Sequence, residues 1–169
     1  MSASGTSDDL DPLQRLEEAY APGEDRPLGS FIGIMAVHSV LVGGAIAVAA
    51  RRGRLRTLSL ADLAVATIAT YKLSRLLAKD PVTSPLRAPF TRLEGTTGPA
   101  ELSEEVRGDG LRHALGELVT CPFCLGQWVA AAFCLGLVYL PGVTRMVATI
   151  FTVHAGSDVL QFAYDRLED

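Results

Sequence analysis

Charged side chains are spaced unevenly along this chain, and the gaps between them are the first structural signal. No Asp, Glu, Lys or Arg occurs from Pro27 to Ala50, nor again from Leu118 to Thr144. A bilayer core of roughly 30 Å needs about 20 helical residues to cross it, so either gap is long enough for a span. One such run would fit a buried helix in a soluble core, but two in so short a chain favour the membrane. The first gap predicts a helix over 29–50. It carries Gly29 and Gly33 at small-xxx-small spacing and Gly43-Gly44 further on, residues that let helix backbones approach closely. His38, midway along it, is expected to be neutral and hydrogen-bonded inside a bundle. The second gap predicts a helix over 122–140, stopped at Pro141-Gly142.

Two further segments show mixed patterning. Over 59–78, Asp62 falls where a negative charge suits a helix start, while Lys72, Arg75 and Lys79 share a stripe at the far end. The apolar middle is short, so a tilted or interfacial helix is an alternative to a full span. Over 143–164, His154, Asp158 and Gln161 recur at i, i+4 and i+7 on one face. A polar stripe in a membrane helix is costly unless it faces other helices or water. It is therefore expected to face the interior and to pair with a basic residue of the second helix. Upstream, Asp11-Pro12 with Gln14 resembles a capped helix start, and Leu13, Leu16 and Tyr20 form one apolar face. Between these segments, prolines at 81, 85 and 89 predict extended or turning chain. Residues 91–110 read as a solvated loop, with a short helix resuming at Leu111.

The expected organisation follows from this pattern. Residues 1–26 form an acidic polar tail with a short amphipathic helix, and 27–57 the first membrane helix and a basic loop. Residues 58–164 form the main membrane domain, with a solvated loop at about 80–118, and 165–169 a polar C-terminus. The fold class predicted is all-α, an integral membrane helical bundle of three to four transmembrane helices.

Composition sharpens the picture. The 169 residues are 49% hydrophobic and 20% charged, with a mean hydropathy of +0.27, less charge than the roughly 25% of an ordinary soluble domain. Seven acids and two arginines fall in the first 26 residues, whereas Arg51, Arg52, Arg54 and Arg56 form one basic run. That run follows an apolar helix directly, so it reads as an anchor for lipid head groups rather than a nucleic-acid site. The first residues are acidic and polar rather than basic and then apolar, so the first helix is expected to be a permanent anchor. The basic run argues for a cytoplasmic first loop, yet Lys79, Arg87 and Arg92 place positive charge on the next one.

Chemistry concentrates in Thr120-Cys121-Pro122-Phe123-Cys124-Leu125-Gly126-Gln127-Trp128. Two cysteines three apart at a helix start suit redox work, because the helix N-terminus stabilises a thiolate. Cys-Pro-Phe-Cys resembles the glutaredoxin active site, although the strand that precedes it there is missing here. Membrane thiol oxidases that use quinone relay electrons through a second cysteine pair, whereas only Cys134 remains in this chain. A metal reading takes Cys121 and Cys124 with His113 as a third ligand. A structural zinc site wants four protein ligands, so zinc or iron fits only if two chains share ligands, and no cofactor is otherwise evident. On a packing reading, proline starts the helix, the cysteines serve as small apolar residues, Gly126 allows close contact and Trp128 anchors at the interface. All three readings stand on these residues.

A second constellation runs through Thr70-Tyr71-Lys72-Leu73-Ser74-Arg75, then Asp80, then Thr83-Ser84-Pro85-Leu86-Arg87. Together with the cysteine segment, it resembles a bacterial and phage family known as domain of unknown function 1360, over roughly residues 60–164. The resemblance implies a small protein of the bacterial cell membrane, multi-pass, with a shared site of Arg75, Asp80, Arg87, Cys121 and Cys124. It implies no reaction, and some members are linked to sporulation. With no complete catalytic set, the expectation is a non-enzymatic structural or partner-binding membrane component. The alternative is a thiol–disulfide redox or metal-binding protein built on Cys121 and Cys124. The partners expected are the lipid bilayer and a second copy or another protein, with no nucleic acid and no evident small-molecule substrate.

Overall fold

The computed structural model describes residues 11–24 and 26–168; the acidic stretch at 1–10 lies outside them. Seven helices and one hairpin follow in order: α1 (Pro12–Tyr20), α2 (Leu28–Arg51), α3 (Leu60–Lys79), α4 (Ser84–Arg87), β1 (Thr91–Gly98), β2 (Glu101–Val106), α5 (Gly110–Thr120), α6 (Pro122–Tyr139) and α7 (Pro141–Glu168). A single 3-10 turn, Pro81–Thr83, precedes α4.

Local chemistry explains the boundaries. In α1 the Asp11 amide donates to the Gln14 side chain at 3.2 Å, one arm of the expected capping box. The helix does not float free, since Glu17 accepts from the Gly29 amide at 3.2 Å and Leu13 packs where a side chain on Gly29 would sit. Ser59 caps α3 by accepting from the Asp62 amide at 3.0 Å. Pro122 and Pro141 stand at the first positions of α6 and α7, where the missing amide hydrogen costs nothing.

Side-chain contacts fix the directions of the long helices. His38 of α2 meets Trp128 of α6 edge-on, with ring centroids 4.7 Å apart. Further along both helices, the Tyr139 hydroxyl donates to the Ala45 carbonyl at 2.5 Å. Contacts that advance together along both chains mean that α2 and α6 run parallel. On the other pair, Arg145 bonds Asp62, Thr152 bonds the Val65 carbonyl, and Lys72 bonds Asp158. By the same reasoning α3 and α7 run parallel to each other, antiparallel to α6. The core lies between α3, α6 and α7, where Ala66, Ala69 and Ala148 admit Val129, Phe133 and Leu137. The small residues let the backbones close on a large aromatic ring. One end of the molecule therefore holds the α2–α3 and α6–α7 turns, and the other the cysteines, α5 and the hairpin.

Three expectations are corrected here. The fold is not an all-α bundle of three to four transmembrane helices. It contains an antiparallel hairpin that pairs Thr91 with Val106 and Gly98 with Glu101, and two of its helices, α2 and α6, are long and apolar enough to cross a membrane. The hairpin escapes a hydrophobicity reading because its strands are built of Thr, Ser, Glu and Gly; Thr favours strands, but the apolar alternation that marks a half-buried strand is absent. Its turn is Pro99-Ala100, with Ala100 at φ 58°, the left-handed region that glycine usually occupies. Next, the proline-rich stretch takes the turning rather than the extended alternative, because Pro81 and Pro85 sit at initial positions of short helical turns, and the stretch at 91–110 expected as a solvated loop is largely the hairpin. Finally, His38 is not hydrogen-bonded; its Nε2 is buried and lacks a partner among the described residues.

Candidate functional site

The residues singled out in the sequence divide among three places. The first is a polar cleft of about 430 Å³ between the end of α3, the hairpin tip and α7. Lys72 emerges from α3 into it, 8% exposed, and its ammonium donates to Asp158 Oδ2 at 2.6 Å. This pairs Asp158 with a basic residue of the second helix, but the rest of the stripe does not face the interior as expected: His154 and Gln161 are exposed. Asp158 is shared, since His154 Nε2 lies 3.8 Å from its other oxygen. Gln161 turns along its own helix and donates to Ser157 Oγ at 3.1 Å. One turn beyond Lys72, Arg75 Nε donates to Glu101 Oε1 at 2.6 Å, tying α3 to the first residue of β2.

Asp80 ends α3 and lines the same cleft. Its carboxyl forms no hydrogen bond or ion pair among the described residues. Burial raises its pKa above the ordinary carboxylate value, and the nearby Lys72 only partly offsets this. Arg75 moves the other way, held more firmly protonated by its hydrogen bond to Glu101. The cleft therefore contains two ion pairs and, among the described residues, two carboxyls without a hydrogen bond or ion pair, those of Asp80 and Asp165.

Arg87 is elsewhere. Its side chain is buried, and its guanidinium donates to Glu104, to the Thr83 hydroxyl and Leu77 carbonyl, both at 2.7 Å, and to the Asp80 carbonyl at 3.1 Å. Thr91 Oγ1 donates to the Arg87 carbonyl at 3.0 Å. Arg87 thus positions Asp80 and the hairpin without reaching the cleft.

The cysteine pair forms the third place. Cys121 caps α6, its sulfur accepting from the Cys124 amide at 3.3 Å, and the two sulfurs stand 2.8 Å apart. Cys124 lines an apolar cleft of about 280 Å³ between α2, α5 and α6, shared with His38, Glu117 and Trp128. His113 bonds Glu117 at 3.2 Å, and Arg26 bonds the same carboxylate at 2.8 Å. Among the described residues no three His, Cys, Asp or Glu side chains are grouped to hold an ion, so His113 does not complete a ligand set with the cysteines. Cys134 lies further along α6 and is exposed.

A family model described as "Protein of unknown function (DUF1360)" matches residues 65–164. The chain belongs to that family. The matched region holds Lys72, Arg75, Asp80, Arg87, the hairpin and the cysteine pair, whereas α1, α2 and the arginine run precede it. A "Sporulation protein YjcA" of Bacillus subtilis (strain 168) is 34% identical over 65 residues, 37% of this chain and 55% of that protein. The match therefore spans little more than half of the relative's length. No solved structure matches the chain.

Sequence reasoning missed Glu101, Glu104 and Glu117 as members of these places. Glu101 and Glu104 lay among other polar residues with no spacing to mark them, whereas Glu117, four residues after His113 in a largely apolar helix, carried a spacing that could have marked it. Only pairing across the hairpin brings Glu101 to Arg75 and Glu104 to Arg87.

Proposed function

We propose that this chain is a non-catalytic component of the bacterial cell membrane, embedded through α2 and α6, which presents the polar cleft and hairpin to a charged partner. The observation that carries the membrane part is the surface of α2. Ile32, Met35, Val37, Val40, Leu41, Ile46 and Val48 are all exposed on it, and no residue of its most apolar window is buried in the fold. Monomeric soluble proteins rarely leave so large an apolar surface in water. Burying these side chains in hydrocarbon is worth on the order of 10 kcal/mol. The sporulation name of the relative suggests the setting in which to look for the partner.

The basic run bears on orientation. Arg87 is paired with Glu104, and Arg107 and Arg112 donate to the Ala88 and Pro89 carbonyls at the hairpin end. Lys79 and Arg92 carry positive charge at that end with no ion-pair partner among the described residues, whereas Arg51, Arg52, Arg54 and Arg56 form the denser cluster, at the α2–α3 turn. By the positive-inside tendency that turn is cytoplasmic, and the cysteines and cleft face the opposite compartment.

Fractionation tests this reading. The chain is expected to resist carbonate extraction and to dissolve only in detergent, while Val40→Asp with Leu41→Asp shifts most of it to the soluble fraction. Recovery of the unaltered chain in the carbonate supernatant would refute the membrane assignment.

A second reading rests on the 2.8 Å separation of the Cys121 and Cys124 sulfurs at a helix start. Two thiols so placed can lose two electrons and two protons to an external disulfide and close a bond between them. Thiol titration of the purified protein is expected to show two thiols lost reversibly against a glutathione couple, and none in Cys121→Ser. A pair that stays reduced under oxidised glutathione leaves only its packing role.

A further inference from the structure

The end of the molecule opposite the cysteines carries a site of its own. Because α2 and α6 run parallel, Arg51 and Tyr139 finish the two apolar helices at one level, and a cleft of about 480 Å³ opens there between the α2–α3 and α6–α7 turns. Arg54, Arg56, Asp62 and Arg145 supply its charge, and Leu58 and Leu137 contribute apolar wall. Arg145 is committed, since Nε and Nη2 grip the two Asp62 oxygens at 2.8 and 3.0 Å. The Arg145 and Ser59 hydrogen bonds hold the Asp62 carboxyl at a pKa of about 2, so it stays ionised and cancels Arg145. The side chains of Arg54 and Arg56 form no hydrogen bond or ion pair among the described residues. The cleft therefore keeps two uncancelled guanidiniums.

We propose that this cleft binds the phosphodiester headgroup of an anionic glycerophospholipid. Guanidinium forks match phosphate oxygens in a bidentate geometry that a lysine cannot copy. On the bilayer reading above, on which this inference rests, the cleft lies at headgroup depth where two apolar helices leave the hydrocarbon. The apolar wall then accommodates the glycerol and the first acyl carbons. Basic pockets between membrane helices on the cytoplasmic side commonly take such headgroups. The site is more specific than a surface charge, because Arg51 and Arg52 carry the same charge at the same level and do not line it. Arg54 and Arg56 also precede the family-matched region, whereas Arg145 lies within it, so the cleft joins the N-terminal segment to the family core.

Native mass spectrometry of the full chain in detergent tests the assignment, with phosphatidylglycerol, phosphatidylcholine and inorganic phosphate as separate probes. One phosphatidylglycerol per chain is expected, with phosphatidylcholine retained about tenfold less. Arg54→Gln with Arg56→Gln lowers phosphatidylglycerol retention about tenfold or more, whereas Arg51→Gln with Arg52→Gln changes it by less than about twofold. Circular dichroism confirms each variant's fold. Arg54→Lys with Arg56→Lys keeps the charge and still loses part of the retention, which covers a Gln variant that misfolds. Equal losses from the two Gln pairs would reduce the site to diffuse attraction, and displacement of the lipid by phosphate alone would make it a free-anion site. A chain that stays in the membrane fraction yet retains both lipids equally overturns this inference and spares the bilayer reading; a chain absent from that fraction overturns both.

Discussion

Replacing Arg87 with alanine is expected to destabilise the protein by about 3–5 kcal/mol, the range for breaking a buried ion pair by removing one partner. Both side chains of the Arg87–Glu104 pair are almost wholly enclosed, at 1% and 5% exposed. Without the guanidinium, Glu104 keeps only the Thr91 hydroxyl at 3.2 Å, and the Leu77 and Asp80 carbonyls each lose a donor. Unfolding in detergent, followed by helical dichroism, measures the loss. Arg87→Met with Glu104→Leu removes both charges and fills the space, so it should recover most of the stability. A loss below about 1 kcal/mol for the single alanine variant would show that the pair is solvated and that Arg87 does not hold the hairpin. The consequence reaches the cleft, because Glu101 stands three residues before Glu104 on the same strand. A hairpin released from Arg87 withdraws the carboxylate from Arg75 and unmoors the loop that carries Asp80.

Legibility in the sequence differs by element, for physical reasons. α2 and α6 were visible because an uncharged run of helical span suits little besides a bilayer or a buried core. The i, i+4, i+7 stripe on α7 was legible only at its middle residue: Asp158 meets Lys72, whereas His154 and Gln161 are exposed, because α7 turns that face partly out of the α3 contact. The hairpin was not legible. Its strands are stabilised by main-chain pairing and by two glutamates meeting arginines from distant segments, and neither leaves a local period in hydrophobicity. The site was mis-grouped for a related reason. Arg75, Asp80, Arg87 and the cysteines stood together only through a resemblance of sequence order, and order says nothing about which side of α3 each residue leaves. The fold sends Arg75 and Asp80 to the α7 cleft, buries Arg87 behind them and leaves Cys124 facing α2.

The second large effect belongs to the Lys72–Asp158 pair, and its two partners should not be equivalent. Lys72 has a side chain 10% exposed, against 31% for Asp158. Asp158→Leu takes the hydrogen-bonded carboxylate from an enclosed ammonium and leaves it only the more distant Asp80 charge, and is expected to cost about 2–3 kcal/mol. Lys72→Met strands a carboxylate that water can still reach and that retains His154 nearby, so its expected cost is nearer ~1 kcal/mol. The double variant should be more stable than Asp158→Leu alone, with a coupling of about 1–2 kcal/mol in a double-mutant cycle. Equal single effects, or simple additivity, would mean that the two groups act through water rather than on each other. The same cycle separates folding from recognition. If the cleft docks a charged partner, Lys72→Met with Asp158→Leu restores the stability lost in Asp158→Leu but not the docking, because the repaired contact between α3 and α7 no longer presents charge. A variant that regains both would place the pair's role wholly in holding the two helices together.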